Sequence, residues 1–263
     1  MASASSHTCQ SESTSTYSNP VINQDFPDPY CIKAADTFFV FATNFGEMEA
    51  ASSHIQLATT TDLVTYQLQP DVLPKLPSWA TTGKTWAPNV THVHTIDGSL
   101  FVLYFVVRDT ISDRQPIGVA TSKNPEGPYQ SHAPAPDPIQ TDQGGSIDPS
   151  VFTDSDGRRP LSSDALQFAG DEQILIQDDP GLGREHCGSA LHVEACGAVL
   201  PGFYSGNGYK SPKYAVGYAV ADHITGPFHK HPQPVLKSDG AVVGPGACCI
   251  VRGPNDTEWM LYH

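Results

Sequence analysis

The chain has 263 residues, enough for one domain with a substantial core, and its 14 Lys and Arg against 28 Asp and Glu leave a net charge of −14, which disfavours nucleic acid and anionic membranes as partners. Charged residues make up only 16%, Gly and Pro number 22 and 23, and long apolar stripes at helical spacing are missing, so short strands joined by tight turns are expected. No run of about eighteen apolar residues is present to span a bilayer, and the N-terminus lacks the apolar core of a signal peptide.

Met1 to Ser18, Ser/Thr-rich with little to bury, reads as a disordered leader, and residues 19–263 as the folded domain. The domain opens on Asp25-Phe26-Pro27-Asp28-Pro29. Its prolines fix their own φ and push the residue before each toward extended backbone, which holds Asp28 on a stiff, non-helical approach to a strand. Asp28 to Thr43 then reads as strand, turn and aromatic strand, and Phe45 in the following loop is a candidate ligand contact. His54 to Leu68 reads as a strand, a turn and a further apolar segment. Ala87 to Val107 repeats the first pattern directly after Trp86, whose indole suits the apolar face of a sugar ring as well as it suits a core. His92 and His94 alternate along its first strand and share one surface face.

Pro116 to His132 repeats the His54 segment, Asp148 to Gly157 reopens the first pattern, and Glu194 to Asn207 is a compressed copy of it. Tyr214 to His231 shares with Pro116 to His132 a G-x-A before the turn and a Gly-Pro-aromatic after it, and Gly246 to His263 closes the series. The five starts, at Asp28, Ala87, Asp148, Glu194 and Gly246, lie 59, 61, 46 and 52 residues apart, close to the roughly 40 to 50 residues of a propeller blade. The fold expected is all-β, a five-bladed β-propeller whose third, fourth and fifth blades are abbreviated. Innermost strands of a propeller face its axis, so Asp28, Asp148 and Glu194, each at the start of a unit, converge there. Carboxylates gathered without basic partners raise one another's pKa and suit paired acid and base work on a glycosidic bond.

These residues resemble glycoside hydrolase family 43, five-bladed propellers acting on arabinose- or xylose-containing polysaccharides. The resemblance rests on Asp25-Phe26-Pro27-Asp28-Pro29, Gly145-Ser146-Ile147-Asp148-Pro149-Ser150-Val151-Phe152, Val193-Glu194-Ala195, Thr85-Trp86-Ala87-Pro88, Phe203-Tyr204-Ser205-Gly206-Asn207, Thr225-Gly226-Pro227-Phe228 and Gly244-Pro245-Gly246. It implies an inverting glycosidase of arabinofuranosidase or xylosidase type, with Asp28 as general base, Asp148 as modulator of the acid and Glu194 as general acid. It implies Trp86 and Phe45 as substrate contacts, a plant cell-wall type polysaccharide or oligosaccharide as partner, and an extracellular location. Cys196 stands where the family has Pro after Glu-Ala, and the strand beyond it is shortened. The alternative is therefore a catalytically impaired, carbohydrate-binding propeller derived from such an enzyme.

No cofactor is expected. Many relatives carry a cation-binding His after Gly-Pro-Gly, where this chain has Ala247, and no metal is expected either. Asp154-Ser155-Asp156-Gly157 lacks the later Glu of a calcium loop and reads as a hairpin turn. The six cysteines include no C-x-x-C pair, which speaks against zinc, and the adjacent Cys248 and Cys249 read as buried thiols. Asn89-Val90-Thr91 and Asn255-Asp256-Thr257 match the N-glycosylation triplet.

Overall fold

The computed structural model describes residues 17–44, 53–96, 98–131, 147–151, 161–162, 192–193, 200–223 and 226–263. Among them the regular structure is strand throughout, apart from one 3₁₀ turn at Pro254–Asp256. In chain order the strands are β1 (Tyr30–Ala34), β2 (Thr37–Ala42), β3 (Gln56–Thr60), β4 (Gln67–Gln69), β5 (Ala80–Thr95), β6 (Gly98–Asp109), β7 (Ile117–Ser122) and β8 (Gln130–Ser131). There follow β9 (Ser150–Val151), β10 (Leu161–Ser162), β11 (His192–Val193), β12 (Leu200–Gly206), β13 (Ala215–Ala221), β14 (His229–Lys230), β15 (Cys249–Arg252) and β16 (Glu258–Leu261). They form five antiparallel sheets in sequence order: β1 to β4, β5 to β8, β9 with β10, β11 to β14, and β15 with β16. This is the five-bladed propeller expected from the repeat. The third and fifth blades show two strands among the described residues. The fourth has four, so it is not short of strands, contrary to expectation.

The composition of β2 explains how blades are held together. Its sequence Thr-Phe-Phe-Val-Phe-Ala has no polar alternation, and five of its six residues are buried, because a blade is covered on both faces. Phe39 and Phe41 point into a core shared with Leu57, Leu103, Phe105 and Val107, between the first and second blades. Phe38, Val40 and Ala42 point the other way, into a core with Cys249 and Val251 of the fifth blade. Each buried Phe contributes about 1.5–3 kcal/mol of burial free energy, so one strand anchors two blade interfaces and joins the last blade to the first.

The two G-x-A segments are equivalent strands, and the reason for the glycine is visible. Gly118 on β7 lies opposite Phe105 on β6, and Gly217 on β13 lies opposite Tyr204 on β12. A Cβ on Gly118 would stand 2.5 Å from the Phe105 ring, and one on Gly217 2.7 Å from the Tyr204 ring. The aromatic residues after the two Gly-Pro pairs, Tyr129 and Phe228, are both buried beneath their blades. His92 and His94 are exposed, as the alternation of β5 requires, with His92 stacked 4.5 Å from Phe101. Among the described residues no helix is long and apolar enough to cross a membrane.

The packing under the rings yields a stability test. Gly118→Ala and Gly217→Ala are each expected to lower unfolding free energy by about 1–3 kcal/mol, the cost of overpacking a filled core. Gly208→Ala, where nothing lies within 4 Å of the new Cβ, should change it by under about 0.5 kcal/mol. Urea midpoints of the three variants check this, and equal shifts would show that the glycines are not under the rings.

Candidate active site

The innermost strands begin at a shared backbone device. Asp28 (φ 53°), Ala87 (φ 45°), Asp148 (φ 52°) and Ala247 (φ 46°) are all left-handed, and three of the four precede proline. This corrects the extended backbone expected for Asp28 from its flanking prolines. A left-handed, non-glycine residue costs on the order of 1–3 kcal/mol and persists only where its surroundings over-determine it. In the second blade the corner is a β-bulge, since pairing passes from Trp86 opposite Val106 to Asn89 opposite Tyr104, which sets Ala87 and Pro88 against the single residue Phe105. The first blade repeats it: Thr43 N–H donates to Pro27 O while Tyr30 pairs with Phe41. The fifth does too, with Gly246 and His263 exchanging both backbone bonds while Cys249 pairs with Leu261. A bulge of this kind re-aims the side chain at its first position.

Three of the four corners, those at Ala87, Ala247 and Asp28, are held by a side chain from the end of the previous blade's second strand. Thr43 Oγ1 accepts the Ala87 N–H at 2.9 Å, Ser205 Oγ accepts the Ala247 N–H at 2.9 Å, and His263 Nδ1 accepts the Asp28 N–H at 3.1 Å. Thr43 and Ser205 are buried, so these acceptors are shielded from competing water. The Thr43 hydroxyl also donates to Asp28 Oδ2 at 2.5 Å, which ties the Asp28 carboxylate to the second blade's corner.

The corners surround one cavity of about 60 Å³, lined by Asp28, Ala87, Asp148 and Ala247, by the residues after them (Pro29, Pro88, Pro149, Cys248) and by Tyr30, Asn89 and Ser150. Asp28 and Asp148, 120 residues apart in sequence, thus line one cavity, and among the described residues no Lys or Arg lines it. Two carboxylates facing a small channel can hold and deprotonate a water molecule or steady a neighbouring acid. Burial pushes the Cys248 thiol up to about 12, so it stays protonated beside them. A larger groove of about 460 Å³ lies between the N-terminal segment and β16, lined among others by Tyr17, Tyr66, Trp259 and His263. Among the described residues its lining is mainly apolar and includes one carboxylate, Asp25.

Of the other residues singled out in the sequence, Trp86 is half-buried directly before the Ala87 corner, with the Arg108 guanidinium 5.9 Å from its ring. It is not among the residues that line the channel cavity. Glu194, Phe45 and Asp154 to Gly157 lie outside the described residues. Cys31, Cys248 and Cys249 are free thiols. Cys31 is held well above the ordinary thiol range by burial and by Cys249 beside it. Asn89 is 1% exposed inside β5, so its triplet is closed to glycosylation in the folded chain, whereas Asn255 is exposed in the last turn.

Sequence reasoning missed Asn89, Ser150 and the clamping trio Thr43, Ser205 and His263. A signal for the trio was present: each ends the aromatic strand of its unit, in Phe41-Ala42-Thr43, Phe203-Tyr204-Ser205 and Leu261-Tyr262-His263.

Comparison with known proteins agrees with this architecture. Residues 17–178 match the model of Glycosyl hydrolases family 43, a span that includes Asp28 and Asp148 and stops before Glu194. The beta-D-galactofuranosidase xynD of Aspergillus niger is 25% identical over 93% of this chain and 75% of its own length. A xylosidase/arabinosidase of Butyrivibrio fibrisolvens is 23% identical over 61% of this chain, which spans 30% of that relative. The crystal structure of a thermostable family-43 glycoside hydrolase superposes with a TM-score of 0.75 at 24% identity, covering 94% of this chain and 86% of that one.

The clamp at Thr43 predicts a graded response. Thr43→Val should cost about 1–3 kcal/mol, the penalty of leaving the buried Ala87 N–H without an acceptor, whereas Thr43→Ser should retain most of the stability. Chemical unfolding of both variants decides this, and a Val variant as stable as wild type would remove the clamp from the account.

Proposed function

Because the chain belongs to glycosyl hydrolase family 43, we propose that it hydrolyses glycosidic bonds in arabinose- or xylose-containing polysaccharides or oligosaccharides, with inversion at the anomeric carbon. The observation that supports this best is the meeting of Asp28 and Asp148 in one channel at equivalent left-handed corners. In this reading Asp28 takes a proton from water as the oxygen attacks the anomeric carbon, and Glu194 gives its proton to the departing glycosidic oxygen. The bond to the leaving group breaks as the bond to water forms, and the base ends protonated and the acid ionised. Inversion requires the two carboxyl groups roughly 6.5–9.5 Å apart, leaving room for the water. Asp148 orients the acid and, as a neighbouring negative charge, helps it keep its proton while Asp28 is ionised. Trp86 supplies a stacking face, and Phe45 is assigned to the same task. The substrate is a polymer met outside the cell, so export belongs to the proposal.

Aryl α-L-arabinofuranoside, aryl β-xyloside and, in view of the Aspergillus relative, aryl galactofuranoside form the test panel. Turnover of at least one is expected. Asp28→Ala should reduce kcat by a factor on the order of 10³ or more, as removal of a general base combined with loss of the bound water does. In Asp148→Asn the alkaline limb of kcat/KM should move to lower pH, since the acid loses its proton more readily without the neighbouring charge. An alkaline limb that stays in place would make Asp148 a binding or structural residue.

One feature favours a second reading, a propeller that binds the sugar without cleaving it. Ser205 occupies the position of Thr43 and His263, yet β11 pairs His192 with Phe203 and Val193 with Gly202, two and three residues beyond Ser205 in the direction away from the channel. Glu194 thus follows, in sequence, the strand it was expected to open. Calorimetric binding of arabino- and xylo-oligosaccharides without turnover of any panel substrate would establish this reading, and turnover abolished by Asp28→Ala would reject it.

A further inference from the structure

We propose that His263 is a positioning residue for Asp28, holding its backbone only while the imidazole is neutral. The proposal rests on the reading of Asp28 as the general base. Pro27 and Pro29 have no N–H, so the Asp28 amide is the one backbone donor of that tripeptide, and its partner sets the orientation of the corner. That partner is His263 Nδ1, at 3.1 Å. In the other clamped corners the acceptor is a hydroxyl, Thr43 or Ser205, which can accept at any pH. Of these three clamps it is the one whose acceptor is an imidazole nitrogen, which can bind a proton.

An imidazole nitrogen accepts only when it carries no proton. With Nδ1 accepting, the ring proton sits on Nε2. Protonation at Nδ1 turns this atom from acceptor to donor and leaves the Asp28 amide without its partner. Asp28 Oδ1 lies 3.6 Å from that nitrogen. One proton therefore exchanges an amide-to-imidazole bond for an imidazolium-to-carboxylate pair on the same residue, competing with Thr43 for the carboxylate. His263 is itself fixed by the paired backbone bonds to Gly246 and by the Tyr214 ring at 6.3 Å. The other titratable side chains lining the same groove as His263 are Asp25, Tyr17, Tyr66 and Tyr262. Among the described residues Asp28 carries the carboxylate in ion-pairing distance.

The experiment has two arms. In the first, kcat and KM are followed across pH for wild type, His263→Ala and His263→Ser. The serine variant supplies the same kind of acceptor that Ser205 supplies to Ala247, without a titrating group. His263→Ala should lose about 10- to 100-fold in kcat with KM within about 2-fold, the scale of a base displaced by a fraction of an ångström. His263→Ser should recover to within about 5-fold of wild type near neutrality, and its acidic limb should fall with a shallower slope because one titrating group is gone. In the second arm, full-length protein selectively labelled with ¹⁵N-aspartate is titrated by NMR. The Asp28 amide should shift together with the His263 ring protons in wild type and lose that transition in His263→Ser. A serine variant no better than alanine, or an Asp28 amide indifferent to imidazole protonation, overturns the proposal. If no substrate turns over, the catalytic reading of Asp28 fails by itself, and the amide titration still decides whether His263 controls the corner.

Discussion

The structure depends on a left-handed residue at the start of an innermost strand, kept there by a side chain from the neighbouring blade. Each such corner is unfavourable locally, by on the order of 1–3 kcal/mol, and a following proline favours extended backbone instead. The compensation is tertiary. Thr43, Ser205 and His263 accept the corner amides of Ala87, Ala247 and Asp28, so a corner persists only where the preceding blade is in place. Corner geometry and blade assembly are thus one arrangement: the bond that completes a blade interface also fixes a residue that lines the channel.

The same coupling accounts for ring closure. In the first blade, β2 buries alternate residues against the second and the fifth blades, and Cys31 N–H reaches Cys249 Sγ across the seam at 3.4 Å. His263 adds a polar link from β16's end to the Asp28 corner. Apolar area supplies most of the free energy of this seam, because one buried Phe outweighs a net hydrogen bond of about 0.5–1.5 kcal/mol. The polar links supply register. Losing one leaves a buried amide without a partner, which penalises any slippage of one blade past the next.

Much of this was legible in the sequence, and for physical reasons. Proline beside Asp28, Ala87 and Asp148 marks the corners, and the recurrence of Gly-x-Ala and Gly-Pro-aromatic marks equivalent strands. Spacing near the propeller period then forces Asp28 and Asp148 together, which is where they stand. What was not legible is how the corners are held. From proline's local preference an extended Asp28 follows, and the left-handed geometry arises instead from contacts with residues 15 and 235 positions away. Asn89 shows the same limit. As a glycosylation triplet it reads as surface, yet the bulge at Ala87 turns it toward the axis and buries it.

The difference between the corners bears on how chemistry is distributed over a symmetric frame. Ala87 and Ala247 take the same backbone conformation as Asp28 and Asp148 with no functional group, so the geometry of a corner does not depend on carrying an acid. Replacing the small residue by Asp adds a carboxylate to a position already lining the channel. Only one partner is then needed to hold that carboxylate, and Thr43, already committed to the Ala87 amide, holds Asp28 with its remaining proton. A frame of equivalent corners can therefore gain a carboxylate by a single substitution without a change of backbone, and which corners bear acids sets how charge is distributed around the channel wall.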